Sequence, residues 1–306
     1  MLAAERDAML SHDETHWWYR GRRRIVLGFA QRLGLPAGCS ILDAGCGSGR
    51  TMRDLAELGT VWGVDNDPTA VRCARAEAGP RVRLASVERL PWRRATFDLV
   101  TCLDVIEHLD DDVGALRELL RVTVPGGALL VTVPAFERLW SRHDEVNDHR
   151  RRYVAGSLRM ALVEAGWRVV DDTYFNSVLL PPAALARVAT RRLPSRGRSD
   201  LEMTPARLHR VLEAPLRLEA ALLARGMRLP AGLSLLCVCR RPIPTLAPGR
   251  AGPGRERPEA RPRTALPGPN GRGRVALPSA PRARVRAPVP DRTRLPRGRP
   301  GGTARR

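Results

Sequence analysis

A chain of 306 residues with a net charge of +20 has room for one large domain or two small ones, and its charge is unevenly placed. Residues 242–306 hold 16 arginines against 3 acids, about +13 of the total, in a run of Pro, Gly, Arg and Ala with no alternating apolar pattern. Such a segment cannot bury enough surface to offset its ordering entropy, so 242–306 reads as a disordered tail and 1–241 as the folded domain. The chain contains no Lys, and the tail has no aromatic side chains on which bases could stack; its Arg content reads as compositional bias, and the composition argues against a nucleic-acid partner. No apolar run reaches the ~18 residues needed to cross a bilayer, so stable membrane insertion is not expected. The charged amino terminus lacks a signal core, and six cysteines without a zinc-type pair read as free thiols, which together predict a cytoplasmic protein.

In chain order, residues 5–33 read as a helix carrying Trp17, Trp18 and Tyr19, then Arg20, Arg22, Arg23 and Arg24. Adjacent tryptophans cannot share one helix face, so one covers something beyond the local core. Either they staple this helix to a sheet or they form a lid over a ligand; the arginines read as a solvated face ahead of an anion site. Strand and helix then alternate: strands at Ser40–Ala44, Val61–Val64, Val82–Ala85 and Asp98–Leu103, with helices over Arg50–Leu58, Pro68–Glu77 and Asp110–Thr123. Pro125-Gly126-Gly127 reads as a turn before a strand at Ala128–Val133. A polar stretch, Phe136–Tyr153, leads to a helix over Val154–Ala165, a sixth strand at Trp167–Tyr174, a mostly helical insert over Asn176–Pro230, and a last strand at Leu233–Cys239. This alternation predicts an α/β fold with a mostly parallel sheet and right-handed crossovers.

The chemistry begins where the first strand ends. Asp43 is followed by Gly45, Gly47 and Gly49, and Asp65 closes the second strand. Glycine is needed where backbone passes a ligand or takes positive φ, and an acid at the end of the second strand can accept hydrogen bonds from ribose hydroxyls. A dinucleotide site wants G-x-G-x-x-G, whose third glycine falls on Arg50 here, so a nicotinamide dinucleotide is disfavoured. Asp98 reads as a structural acid capping nearby backbone donors.

The stretch Leu42–Gly49 resembles the first motif of the class I S-adenosylmethionine-dependent methyltransferases, small-molecule branch, of the bacterial type-11/12 kind. Gly63-Val64-Asp65, Val87–Trp92, Phe97–Val100, Leu103–Leu109 and Pro125–Gly127 resemble the later motifs in the right order. The resemblance covers roughly residues 10–241. It implies a Rossmann-like, doubly wound seven-stranded sheet, mostly parallel with the last strand inserted antiparallel, and a helical insert between strands six and seven. It implies S-adenosylmethionine as cofactor, passed by Asp43, Gly45, Gly47 and Gly49, held at the ribose by Asp65, and flanked at the adenine by Ser86, Val87 and Glu88. Many relatives carry Asp at the position of Ser86, which bonds more weakly than a carboxylate. Asp104 and His108 are placed beside the methyl donor, sharing one face if the segment is helical.

Methyl transfer is an in-line displacement, so the protein supplies proximity and orientation, and a base only where the acceptor arrives protonated. The candidates follow strand five. His143 and His149 read as base, with Asp144 beside them; Arg151 or Arg152 would grip an anionic acceptor, Tyr153 would line its pocket, and Trp17 and Trp18 would cover it. The same cluster also reads as a salt-bridged loop without chemistry. A His143–Asp144–His149 metal site matches no standard ligand spacing, and no metal is expected. The expected activity is methyl transfer to an O, N or C acceptor on a small-molecule or lipid- or sugar-linked metabolite. A nucleic-acid methyltransferase anchored by the tail and a non-catalytic S-adenosylmethionine-binding scaffold are the alternatives.

Overall fold

The computed structural model describes residues 10, 13–190 and 208–244; the tail expected at 242–306 lies outside them but for its first three residues, as do the readings on 5–9, 11–12 and 191–207. In order, the elements are α1 (Trp17–Gln31), β1 (Cys39–Ala44), α2 (Arg50–Leu55), β2 (Gly59–Asp65), α3 (Pro68–Ala78), β3 (Val82–Leu84) and β4 (Phe97–Leu103). They continue with α4 (Asp112–Val122), β5 (Thr123–Pro134), α5 (Arg142–Val146), α6 (Ala155–Glu164), β6 (Arg168–Phe175), α7 (Leu180–Thr190), α8 (His209–Ala224) and β7 (Ser234–Arg240). One seven-stranded sheet takes the order β3-β2-β1-β4-β5-β7-β6. Strands β1 to β5 pair in parallel, and β7 runs antiparallel to both β5 and β6, as the resemblance implies.

Period-two alternation explains why the sheet is covered on both faces. From β1, β4, β5 and β7, the residues Leu42, Val100, Leu129, Val131 and Cys237 join a core with Leu116 and Leu119 of α4 and Leu158 and Leu162 of α6. Their neighbours Ile41, Leu99, Leu130 and Leu236 face the other way, into a core with Ile25, Val26 and Phe29 of α1, Val71 of α3, and Leu216 and Leu223 of α8. Strand order reverses between β1 and β4, and ligands of open α/β sheets bind at the carboxyl end of such a switch point. No described helix is long and apolar enough to cross a membrane.

The local signals hold at most boundaries. Pro68 opens α3 behind Asp67, whose side chain accepts from Thr69 N at 2.7 Å and Ala70 N at 2.9 Å. Pro181 and Pro182 sit in the first turn of α7, where no N–H is needed. Buried Glu219 of α8 anchors the entry to α7 by accepting from the backbone of Asn176, Ser177 and Val178 at 2.6–3.1 Å. Two expectations are corrected. Pro125-Gly126-Gly127 is a bulged beginning of β5, in which Thr123 pairs with Phe97 before the register shifts. The long helix expected over 5–33 is shorter among the described residues, starting at Trp17 with His16 as its cap.

Arg241 fastens the last strand. Its backbone extends the pairing of β7 to Gly126 and Gly127, and its buried guanidinium donates to the carbonyls of Leu120 at 3.0 Å, Arg121 at 3.2 Å, and Thr123, the last carbonyls of α4 and its exit. Replacing it strands three acceptors, that of Thr123 buried. Arg241→Ala is expected to cost about 1–3 kcal/mol, read as a lower urea midpoint with an unchanged slope; an unchanged midpoint would refute this role.

Candidate functional site

The carboxyl ends of β1, β2 and β4 meet at one place. The chain leaves β1 through Gly45, Gly47 and Gly49, all at positive φ. A Cβ at Gly45 would lie 2.3 Å from Val105 Cγ2, and one at Gly49 would lie 2.8 Å from Ala74 Cα, so these two positions admit no side chain. Asp65 faces the turn: its Oδ2 accepts from Gly47 N and its Oδ1 from Asp67 N, each at 2.9 Å. Burial raises its pKa, against the pull of the Asp67 and Gly47 amides. Each oxygen keeps a second lone pair for a donor from a ligand. Ala85 N bonds Asp65 O at 3.0 Å, which sets Ser86-Val87-Glu88 beside that acid; Val87 is buried, while Ser86 and exposed Glu88 hydrogen-bond each other at 3.1 Å.

Asp43 points to the α1 side of the sheet and is buried, with Thr101 Oγ1 donating to its Oδ1 at 2.6 Å. Burial pushes its pKa up to about 7, opposed by the Thr101 bond and the charge of Arg22. Arg22 comes from α1, ion-pairs with Asp104 at the end of β4, and lies 4.8 Å from the ring centre of Trp18. Arg23 is buried too, bonding Asp13 Oδ1 at 2.6 Å and Asp54 Oδ2 at 3.1 Å, and Asp13 in turn accepts from Ser48 of the glycine turn. A solvated face therefore describes Arg20 and Arg24, half-exposed partners of Glu213, but not Arg22 or Arg23. The two tryptophans diverge as their adjacency requires. Trp17 packs on the core of the α1 face, and Trp18 turns to Tyr19 and Arg22 over the glycine side.

Asp104 and His108 do not share a helix face. Asp104 takes positive φ, a 3-10 turn follows over Ile106–His108, and the two side chains go to different partners. His108 stacks edge-on against His149, with ring centres 4.7 Å apart, and bonds the Asp148 backbone carbonyl. Burial and the neighbouring His149 lower its pKa to about 4, so it is neutral at pH 7.

Asp144 organises the polar loop. It is fully buried, closes a capping box with Ser141, accepts from Arg152 Nε at 2.7 Å and Nη2 at 3.0 Å, and bonds His149 Nδ1 at 2.8 Å. Burial alone would raise its pKa, but the bonds from His149 and Arg152 outweigh it and hold Asp144 below the usual carboxylate range. The sequence reading set Asp144 among the catalytic residues and gave Arg151 or Arg152 an anionic acceptor; the structure differs. Arg152 is consumed by Asp144 and Ala135 O, and Arg151 by the carbonyls of Leu109 and Asp110 and the carboxylate of Asp112. Tyr153 lies in the core behind the loop, donating to Asp112 Oδ2 at 2.6 Å, with its pKa raised by burial and that acid. His143 is half-buried like His149, with ring centres 6.1 Å apart, and Asn147 Nδ2 lies 3.2 Å from its Nδ1.

Sequence reasoning gives no role to Glu107, Thr101 or Asp13, and reads Arg22 only as part of a solvated face. Glu107 is fully buried, and neither carboxylate oxygen has a hydrogen-bond partner among the described residues. Burial, and then Asp104, raise its pKa well above the ordinary value. A ligating atom from each of Glu107, His108 and His149 lies within 4.8 Å of the other two. The only sequence signal was the Glu-His dipeptide itself; the third member comes from 41 residues downstream.

Residues 42–131, from β1 through most of β5, match the methyltransferase domain family. The chain is 38% identical over 104 residues to the ubiquinone biosynthesis O-methyltransferase of Xanthomonas axonopodis pv. citri, covering 32% of this chain and 44% of that protein. It is 34% identical over 165 residues to a Mycolicibacterium smegmatis protein named "Probable S-adenosylmethionine-dependent methyltransferase", covering 52% of this chain and 62% of that one. The chain thus spans about half the length of the curated relatives it matches. Among solved structures, a chain from the complex between the Haloferax volcanii Trm112 methyltransferase activator and a methyltransferase superposes with a TM-score of 0.52 at 19% identity, over 78% of this chain and 95% of that one, a likeness of fold.

The raised pKa of Asp43 has a signed consequence for stability. The folded protein holds a proton there up to about pH 7, whereas an ordinary Asp releases it near 3.8, so stability falls between those values and levels off above. Asn keeps the acceptor for Thr101 and removes the titration. Asp43→Asn is expected to match the wild type near pH 4 and to exceed it above pH 7 by a few kcal/mol, at most about 4, in denaturant melts at both pH values; a constant difference would overturn the assignment.

Proposed function

We propose that the chain, which matches the methyltransferase domain family over residues 42–131 and resembles S-adenosylmethionine-dependent methyltransferases, methylates a hydroxyl oxygen of a small-molecule acceptor received by the loop of residues 136–153. The observation that carries this reading is the cradle at the ends of β1 and β2, two positions closed to any Cβ opposite an acid with lone pairs to spare. The residues at hand fit the cofactor: Asp65 would hold the ribose hydroxyls, the Gly45–Gly49 backbone would pass the methionine part, and Ser86, Val87 and Glu88 would flank the adenine. S-adenosylmethionine, when bound, supplies an electrophilic methyl group on a sulfonium sulfur.

The remaining work falls to the chain. Trp18 and Arg22, fastened across the glycine side by Asp104, would exclude water from the donor. On the acceptor side, Asp144 acts through His149 as a positioning residue, and His143 would take the proton of an acceptor hydroxyl. The printed names of the Xanthomonas and related proteins, ubiquinone biosynthesis O-methyltransferases, support oxygen as the acceptor atom.

Calorimetry with S-adenosylmethionine tests the donor side. Asp65→Ala is expected to weaken binding by about 1–3 kcal/mol, and undetectable binding by the intact protein would sink the proposal. Labelled-methyl turnover on a panel of phenolic and aliphatic hydroxyl compounds tests the acceptor side: His143→Ala should lower the rate by about 10²–10⁴ while cofactor affinity holds. Lost cofactor affinity in that variant would move His143 out of the acceptor site.

A further inference from the structure

We propose that Glu107, His108 and His149 form a binding site for one divalent transition-metal cation of the Zn²⁺ or Co²⁺ class. The sequence reading weighed His143, Asp144 and His149 as ligands and set a metal aside on their spacing; the fold assembles a different set, two imidazoles and a carboxylate. Their ligating atoms lie within 4.8 Å of one another. Atoms bound to one ion at ~2.1 Å stand no more than about 4.2 Å apart, so the site needs to close by roughly half an ångström, within the reach of side-chain rotation.

Three further observations point to an ion. Glu107 is fully buried with both oxygens unpartnered among the described residues, although such a group ordinarily finds donors. Both imidazoles are already oriented from behind. His149 Nδ1 is held by Asp144 at 2.8 Å, leaving Nε2 as the ligating atom, and His108 is held by the Asp148 carbonyl. Carboxylates and carbonyls behind ligating histidines are the usual second support of a metal, fixing the tautomer and making the ring more basic. Charge agrees as well. Asp144 is ion-paired with Arg152 and Asp104 with Arg22, whereas Glu107 makes no ion pair among the described residues.

Two imidazoles favour a borderline transition metal over Mg²⁺, which prefers an all-oxygen shell. Three protein ligands also leave coordination positions for an exogenous oxygen donor, in keeping with a polyatomic acceptor or water arriving on this loop. The backbone supports closure: Arg150 N donates to Glu107 O at 2.7 Å, so the two ligating segments are already joined.

The site goes beyond methyl transfer, and its test needs no cofactor. Chelator-treated full-length protein is titrated with CoCl₂, read by visible absorption, and with ZnCl₂, read by calorimetry. One equivalent is expected, with ligand-field bands and no thiolate-to-cobalt charge-transfer band. Glu107→Gln and His149→Gln, checked for folding by circular dichroism, should each weaken binding beyond the roughly 10–100-fold typical of losing an outer partner, and Asp144→Asn should fall on that scale. Asp65→Ala should bind the metal as the wild type does, which separates this outcome from failure of the donor site. Absence of saturable binding, a thiolate band, or affinity unchanged in both folded ligand variants would each overturn the proposal.

Discussion

The absence of a side chain at Gly45 is the constraint on which the carboxyl edge of the sheet depends. Val105 Cγ2 occupies the space a Cβ would need, so the turn after β4 rests directly on the turn after β1. That contact places Asp104 within reach of Arg22 on α1 and swings His108 toward the loop after β5. Any larger residue at position 45 would lift the second turn and separate both pairings. The strand ends are therefore one assembly, with the glycine at its centre.

Acids gather on that assembly, and each is stabilised by a different means. Asp43 has a hydroxyl from Thr101 and a distant guanidinium, too little to offset burial, so it keeps its proton to about pH 7. Asp65 has two backbone amides; Asp144 has a two-point contact with Arg152 together with His149. The gradation follows the arithmetic of buried charge: a carboxylate with a close, hydrogen-bonded cation stays ionised, and one with neutral donors does so only in part. Glu107 stands at the end of that series, with neither oxygen hydrogen-bonded to another described residue.

The architecture was legible because it rests on local and periodic signals. Apolar runs ending in Asp43 and Asp65, Pro68 behind Asp67 and the Gly-rich turn all report on backbone within a few residues. Where reading failed, the deciding partner was remote in sequence. Nothing near Arg22 announces Asp104, 82 residues away, and nothing near Arg152 announces that Asp144 will be buried rather than presented. A run such as Arg20–Arg24 looks uniformly solvated until Glu213 of α8 takes Arg20 and Arg24, Asp104 takes Arg22, and Asp13 takes Arg23. The Pro-Gly-Gly beginning of β5 misled for a related reason, since the pairing of Thr123 with Phe97 overrides the turn propensity of the intervening residues.

The five residues from Asp104 to His108 tie the two halves of the site together. Asp104 adopts positive φ, a conformation Asp tolerates better than most residues, and this lets the chain turn sharply enough for Asp104 and His108 to face opposite sides. One end is bound through Arg22 to α1. The other is bound through His108, and through the Glu107 carbonyl, to the loop proposed for the acceptor. Between them Val105 and Ile106 are packed into the fold, Ile106 completely, so the turn has little freedom to respond on one side alone. A ligand that shifts Asp104 must strain either the Gly45 contact or the His108 stack. Coupling between the glycine turn and the loop of residues 136–153 thus requires no moving domain, only a short, tightly packed turn whose two polar ends have different partners.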